Sequence, residues 1–383
     1  MFAPLSRQCS RLCSAATRSV SIDAGSMRGR DLDSMFSFTG AEQRTLLSMA
    51  GALKKRLRAP DSKPLQPLLG STLSMIFQKR STRTRVSAEG GFAQLGGHAI
   101  FLGECGGRQL QQFLHILTCP SPSSRLCLTA ATPPPPSPPH LCPPGSEDIQ
   151  LGKNESLRDT ALVLGRFSDL VLARVFGHGD IEELSRHCGS PVINALSDQH
   201  HPLQLLADMQ TLEEEFGSVQ GLTIAWVGDG NNILHSFLSS AGALGYNVQY
   251  ATPPGFEPKA AVVAAATALA HSGGVRISGS HDPLQAVQGA DVIVTDTWVS
   301  MGQEGEVAAR MRAFEGYQVT EAMAKRGGAK PRWVFLHCLP RKPQEVDEEV
   351  FYGPRTRVWD EAENRKWTFQ AVALALAKGG VHL

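Results

Sequence analysis

The chain has 383 residues, 42% hydrophobic and 19% charged, with 37 basic against 36 acidic side chains and a formal net charge of +1. That is two or three domains at about 150 residues each, with ample apolar material for a core. The near-zero charge gives no reason for nucleic acid or an anionic membrane as a partner, and no apolar run reaches the roughly 18–20 residues that span a bilayer. A membrane channel, a collagen and a wholly disordered chain are excluded.

In chain order, residues 1–22 come first. They hold Arg7, Arg11 and Arg18, are rich in serine, and contain no acid before Asp23. Arg-rich, Ser-rich and acid-poor is the composition of a mitochondrial transit peptide. Residues 1–28 are therefore set apart, with cleavage expected between 19 and 27 and the mature chain expected in the mitochondrial matrix. Helical spacing of Leu46, Leu47, Met49 and Leu53 predicts a helix over 36–58. A buried strand is expected at 72–77, a helix at 86–95 stopped by Gly96-Gly97, and a strand at 98–102.

Residues 103–145 break this pattern. Ten of the 24 prolines lie there, among them Pro133 to Pro136, so the stretch cannot be helix or sheet interior. It reads as a linker. Gly103-Glu104-Cys105 can be encoded by codons that contain a splice-donor consensus, and Pro144-Gly145 by codons that supply an acceptor in the same phase. A retained intron or a gene-model error over 103–144 accounts for the composition. Transcript reads that cross position 102 without a 102–145 junction would reject this reading. The eight cysteines tell the same story: Cys9 and Cys13 lie in the leader, Cys105, Cys119, Cys127 and Cys142 in the Pro-rich stretch, and only Cys188 and Cys338 elsewhere. A disulfide framework would be spread through the folded part, and without a CxxC pair no structural zinc site is expected.

Beyond the break the elements alternate. Helices are expected at 154–167, 182–187 and 204–216, with strands at 170–175 and 192–194. A second set follows: strands at 222–227, 248–251, 292–295 and 333–336, and helices at 233–244, 259–270 and 364–377. Alternation in both halves predicts an α/β fold of two domains, each a mainly parallel sheet flanked by helices. Polar clusters recur just after predicted strands, at 81–85, 174, 194–201, 228–232, 296–301 and 337–340. Ligands of open α/β sheets bind at the carboxyl ends of strands, so one active-site cleft between the domains is expected.

Ser81-Thr82-Arg83-Thr84-Arg85 opens a predicted helix, where free amides and the dipole attract phosphate and an arginine can bind it bidentately. An ordinary Ser/Thr cap with solvated arginines is the plain alternative. Gly228-Asp229-Gly230 lacks the third glycine of a dinucleotide turn. His201, followed by Pro202 and Gln204, and Cys338, between His337 and Leu339, sit where a site is expected, although a lone histidine or a buried thiol is often only structural.

Together, Ser81 to Arg85, His201-Pro202-x-Gln204, Asp296-x-x-x-Ser300-Met301-Gly302 and His337-Cys338-Leu339-Pro340 resemble the carbamoyltransferases, and the last two elements resemble the ornithine branch of that family. The resemblance runs from about residue 29 to 377, apart from 103–144. It implies a carbamoyl phosphate-binding domain (29–205, interrupted by the insert 103–144), an ornithine-binding domain (206–360) and a C-terminal helix (361–383) packing back on the first. It implies a homotrimer with active sites at subunit interfaces and no metal or organic cofactor. By the same resemblance, Ser81, Thr82, Arg83 and Thr84 bind phosphate, and Arg174, His201 and Gln204 hold the carbamoyl oxygen. Asn232, Asp296, Ser300 and Met301 bind L-ornithine. Cys338 and Leu339 line the reacting centre, Arg365 contacts carbamoyl phosphate, and His98 reaches toward a neighbouring subunit's site. The catalytic set would be Arg83, Arg174, His201, Asp296 and Cys338, giving citrulline and phosphate. An aspartate-specific relative, or a binding protein silenced by the insert, are the alternatives.

Overall fold

The computed structural model describes residues 21–60, 62–103, 155–299 and 304–382. The Pro-rich stretch beyond Gly103, together with Ser300 and Met301, therefore lies outside the described residues.

The chain begins with β1 (Ser21–Asp23) and a long helix α1 (Gly40–Arg58). A capping box starts α1: the Thr39 side chain accepts from the Glu42 amide and Glu42 reaches back to the Thr39 amide. The expected start at 36 is instead a 3-10 turn at Met35–Ser37. The first sheet is built from β2 (Thr72–Phe77), β3 (His98–Gly103), β4 (Leu170–Arg174) and β5 (Val192–Leu196), all parallel, in the order β3-β2-β4-β5. Its crossovers carry α2 (Thr82–Gln94), α3 (Leu157–Phe167) and α4 (His178–His187). All five residues of β4 are buried, as in a sheet covered on both faces, which is why residues 170–173 are a run of apolar residues and not an alternation.

Helix α5 (Pro202–Phe216) leads into a second parallel sheet. This comprises β6 (Thr223–Val227), β7 (Asn247–Ala251), β8 (Ile277–Ser280), β9 (Val292–Thr295) and β10 (Val334–His337), in the order β10-β9-β6-β7-β8. Around it lie α6 (Asn232–Leu244), α7 (Ala260–Ser272) and the short helices α8 (Pro283–Ala286), α9 (Val307–Ala313), α10 (Glu321–Gly327) and α11 (Glu348–Tyr352). The edge strand β8 and the short helices have too few residues to show a period. Gly279 in β8 is required by its neighbour, because a Cβ there would come within 2.3 Å of the Tyr250 ring.

The last helix, α12 (Val358–Lys378), starts six positions before the expected 364. It packs on α1, α2 and α5, with Gln370 Nε2 donating to the Gly91 carbonyl at 2.9 Å. The apolar core is continuous from Met75 and Phe92 through Leu206 and Phe369 to Trp226 and Phe237. The closing strand β11 (Gly380–His382) pairs antiparallel with β1. Ala24 and Met27 are buried beside it, so residues 21–28 of the expected leader belong to folded structure. No helix among the described residues is long and apolar enough to cross a membrane.

Candidate active site

Each sheet reverses its strand order once, between β2 and β4 in the first and between β6 and β9 in the second. The carboxyl ends at these two points open on one cleft of about 500 Å³, the place where ligands of such sheets bind. The first unit contributes Ser81, Thr82, Arg83 and Thr84, Arg174 at the end of β4, and His201 and Gln204 at the start of α5. The second contributes Asn232, Asp296, Cys338 and Leu339, and α12 inserts Arg365. His98 is exposed at the amino end of β3 and does not line the cleft. Lys79, Arg80 and Lys342 also line it and were not singled out from the sequence. The first two adjoin Ser81, and extending the basic run by two residues would have included them.

One wall is built to receive negative charge. Three helices begin here: α2 capped by Ser81, α6 capped by Asn231, and α5 with His201 at its cap position. Their dipoles point positive ends into the cleft. Ser81 Oγ accepts from the Thr84 amide at 3.3 Å. Arg365 donates from Nη2 to Thr84 Oγ1 at 3.0 Å and from Nη1 to Gln204 Oε1. The same Nη1 lies 3.5 Å from His201 Nε2. A guanidinium has only donors, so Nε2 must be the acceptor and the imidazole proton sits on Nδ1. That Nδ1 is buried without a partner, as is Arg174 Nε. Two buried donors left unpaired are costly and call for an oxygen ligand. Burial first, and then Arg365 and Arg83, lower Arg174 to about 10. Burial, with a smaller push from Arg83, lowers Arg365 to about 10 although Cys338 and Asp208 oppose it. Burial with the three arginines pushes His201 well below 6.5. A bound anion relieves this repulsion.

The opposite wall presents a carboxylate. Asp296 accepts from Asn231 Nδ2 at 2.8 Å and from the Cys338 thiol at 2.7 Å. Burial and the adjacent Asp296 raise the Cys338 pKa well above its usual value. Cys338 is therefore a thiol that donates, and Asp296 is the group able to accept from a substrate amine. Asn232 Nδ2 donates to the Ser197 carbonyl at 2.5 Å. Leu339, at φ 60°, turns a carbonyl across the cleft to accept from Arg83 Nη2. Asp296, His337 and Cys338 bring possible metal-ligand atoms within 4.8 Å of one another. Both His337 ring nitrogens are engaged, however, Nδ1 by the Leu339 amide at 2.9 Å and Nε2 by Glu345 at 3.2 Å. With Cys338 also protonated, the trio does not fit a metal as arranged.

Next to the cleft, His235 donates from Nδ1 to the Gln199 carbonyl at 2.9 Å and accepts at Nε2 from the Lys259 amide at 3.0 Å, so it must be neutral. His200 packs 6.2 Å from it. Burial lowers His235 to about 4 and His200 to about 3. The folded state binds fewer protons than the unfolded one below about pH 6.5, so stability is full above that pH and is lost as pH falls toward 4. Urea unfolding should lose about 1.4 kcal/mol per pH unit for each of these histidines in that window. A flat profile between about pH 7 and 5 would reject their neutral burial.

The two parallel α/β units thus enclose one cleft, with unpaired buried donors and arginines on one wall and the Asp296 carboxylate on the other. Comparison with known proteins identifies the family. Residues 30–115 and 141–214 match the family model "Aspartate/ornithine carbamoyltransferase, carbamoyl-P binding domain", and 220–376 match its "Asp/Orn binding domain". The chain is 46% identical over 351 residues to the mitochondrial ornithine transcarbamylase of Gallus gallus, covering 91% of this chain and 86% of that protein. It superposes on the ornithine carbamoyltransferase of Pyrococcus furiosus with a TM-score of 0.77 at 39% identity, covering 91% and 97% of the two chains. For the mitochondrial enzyme of Coccidioides immitis the TM-score is 0.74 at 38% identity, with 91% and 97% covered. The chain belongs to the aspartate/ornithine carbamoyltransferase family.

Proposed function

We propose that this chain transfers the carbamoyl group of carbamoyl phosphate to the δ-amine of L-ornithine, giving L-citrulline and phosphate. The observation that carries the reading is the pair of partnerless buried donors, Arg174 Nε and His201 Nδ1, on the wall that also holds Arg83 and Arg365. Ser81, Thr82, Arg83 and Thr84 hold the phosphate at the start of α2. Arg174, His201 and Arg365 stabilise the charge that develops on the carbonyl oxygen. The attacking amine has a free pKa near that of lysine, about 10.4, and must be neutral. Asp296, with Cys338 as its donor, orients it and accepts from it. Asn232, Ser300 and Met301 complete the ornithine site, and Leu339 borders the reacting carbon. Holding both substrates in line supplies much of the remaining acceleration.

An acidic amino acid would place its extra carboxylate against Asp296, which disfavours the aspartate alternative. The names of the relatives and the composition of residues 1–20 support a mitochondrial matrix enzyme, processed ahead of Ser21 so that β1 keeps its pairing with β11. Exposed Leu69, Val86, Ile100, Phe167 and Phe176 on the first unit support a homotrimer formed through it, with His98 turned to a neighbour's site. The family match omits 116–140, which supports an insertion there, although it includes 103–115 and 141–144, which the expected insert takes in.

The test is citrulline formation by the chain with and without residues 103–144. Activity in at least the shortened form is expected. Activity with aspartate in place of ornithine, or with neither, would overturn the reading.

A further inference from the structure

Behind the anion-binding wall lies a layer of carboxyl groups that the reaction above does not use. Asp208 is four residues beyond Gln204 on α5, and Glu361 is four before Arg365 on α12, so each faces the same way as its cleft residue. All four are buried, none more than 5% exposed. Gln204 Nε2 donates to Asp208 Oδ1 at 2.8 Å and to Glu361 Oε1 at 2.6 Å. Glu361 Oε2 accepts from the His337 amide at 2.9 Å. Both buried carboxyls thus meet at one amide nitrogen, and two like charges held so close out of water are relieved when one of them carries a proton.

We propose that Asp208 and Glu361 share one proton and act as a positioning pair, locking the Gln204 amide with its nitrogen on the pair and its oxygen on Arg365. An amide held from both ends cannot flip, so the Gln204–Arg365 contact presents one fixed pattern to the cleft. The singly protonated pair carries one negative charge, which balances Arg365. The other groups facing it include Asp296 beyond β9, Cys338 beyond β10 and the buried Tyr246. Burial agrees in direction, raising both Glu361 and Asp208 above the ordinary carboxylate range. A fully ionised pair would put a second uncompensated charge behind the wall.

This inference rests on the proposed reaction, and its test separates the two. Infrared spectra of the full chain at about pH 7 should contain a protonated-carboxyl band that disappears in Glu361→Gln. In that variant an NH₂ replaces one acceptor, Gln204 loses an anchor, and kcat/KM for carbamoyl phosphate should fall about 10- to 100-fold while KM for ornithine changes less than about twofold. Absence of the band in the wild-type chain overturns the proposal, as does a folded Glu361→Gln with wild-type kcat/KM. If Glu361→Gln does not fold, the wild-type band and its loss in Asp208→Asn decide. If neither the full chain nor the form lacking residues 103–144 makes citrulline the reaction is misassigned, and the infrared result still decides whether the pair shares a proton.

Discussion

Replacing Arg83 by lysine should lower kcat/KM for carbamoyl phosphate by about 100-fold or more, with little change in melting temperature. Arg83 stands in the first turn of α2, and its Nη2 is committed to the Leu339 carbonyl across the cleft. Its side chain lines the cleft beside Ser81, Thr82 and Thr84. An arginine can hold the second wall and a phosphate oxygen together because its donors form a planar fork. A lysine ammonium is a point charge at the end of a flexible stem, so it keeps one contact or the other. Steady-state kinetics with each substrate varied would show the loss against carbamoyl phosphate. Near-normal turnover would remove the phosphate-site assignment.

Glu345→Ala should destabilise the fold by about 3–5 kcal/mol, because it strips a fully buried carboxylate from the groups around it. Glu345 is 0% exposed. It accepts from His337 Nε2 at 3.2 Å, from the Trp298 amide at 3.3 Å and from the Lys342 amide at 2.8 Å. It thereby ties the end of β10, the loop beyond β9 and the cleft-lining Lys342 into one wall. Glu345→Gln keeps an acceptor oxygen and should cost distinctly less. Urea unfolding of both variants measures the difference. A cost below about 1 kcal/mol for Glu345→Ala would mean that the wall is held mainly by packing.

Much of the site was legible before any coordinates because its chemistry is concentrated in short runs. Ser81 to Thr84, His201 to Gln204 and Cys338-Leu339 each follow a strand, and in an α/β sheet that position fixes where a residue can act. Arg365 has no such local signal. It lies inside a helix, and only the resemblance pointed to it. Its supporters, Asp208 and Glu361, gave no signal at all, since two acids on amphipathic helices look like solvated faces. Lys79 and Arg80 were missed for a smaller reason, the choice of where a basic run begins. Residues 21–28 looked like leader because composition cannot see that Ser21–Asp23 pairs with a strand at the other end of the chain.

The sequence by itself determined the alternation of strands and helices, the break at the Pro-rich stretch and the clusters that face the cleft. These are properties of neighbours along the chain, set by side-chain period, proline geometry and helix capping. The tertiary structure alone decided the two points of strand reversal that oppose one another, the protonation of Cys338 and the tautomer of His201. It also decided that Asp208 and Glu361 meet behind Gln204. Each of these depends on burial or on partners distant in sequence, and a proton settles according to the charges and donors that folding places around it.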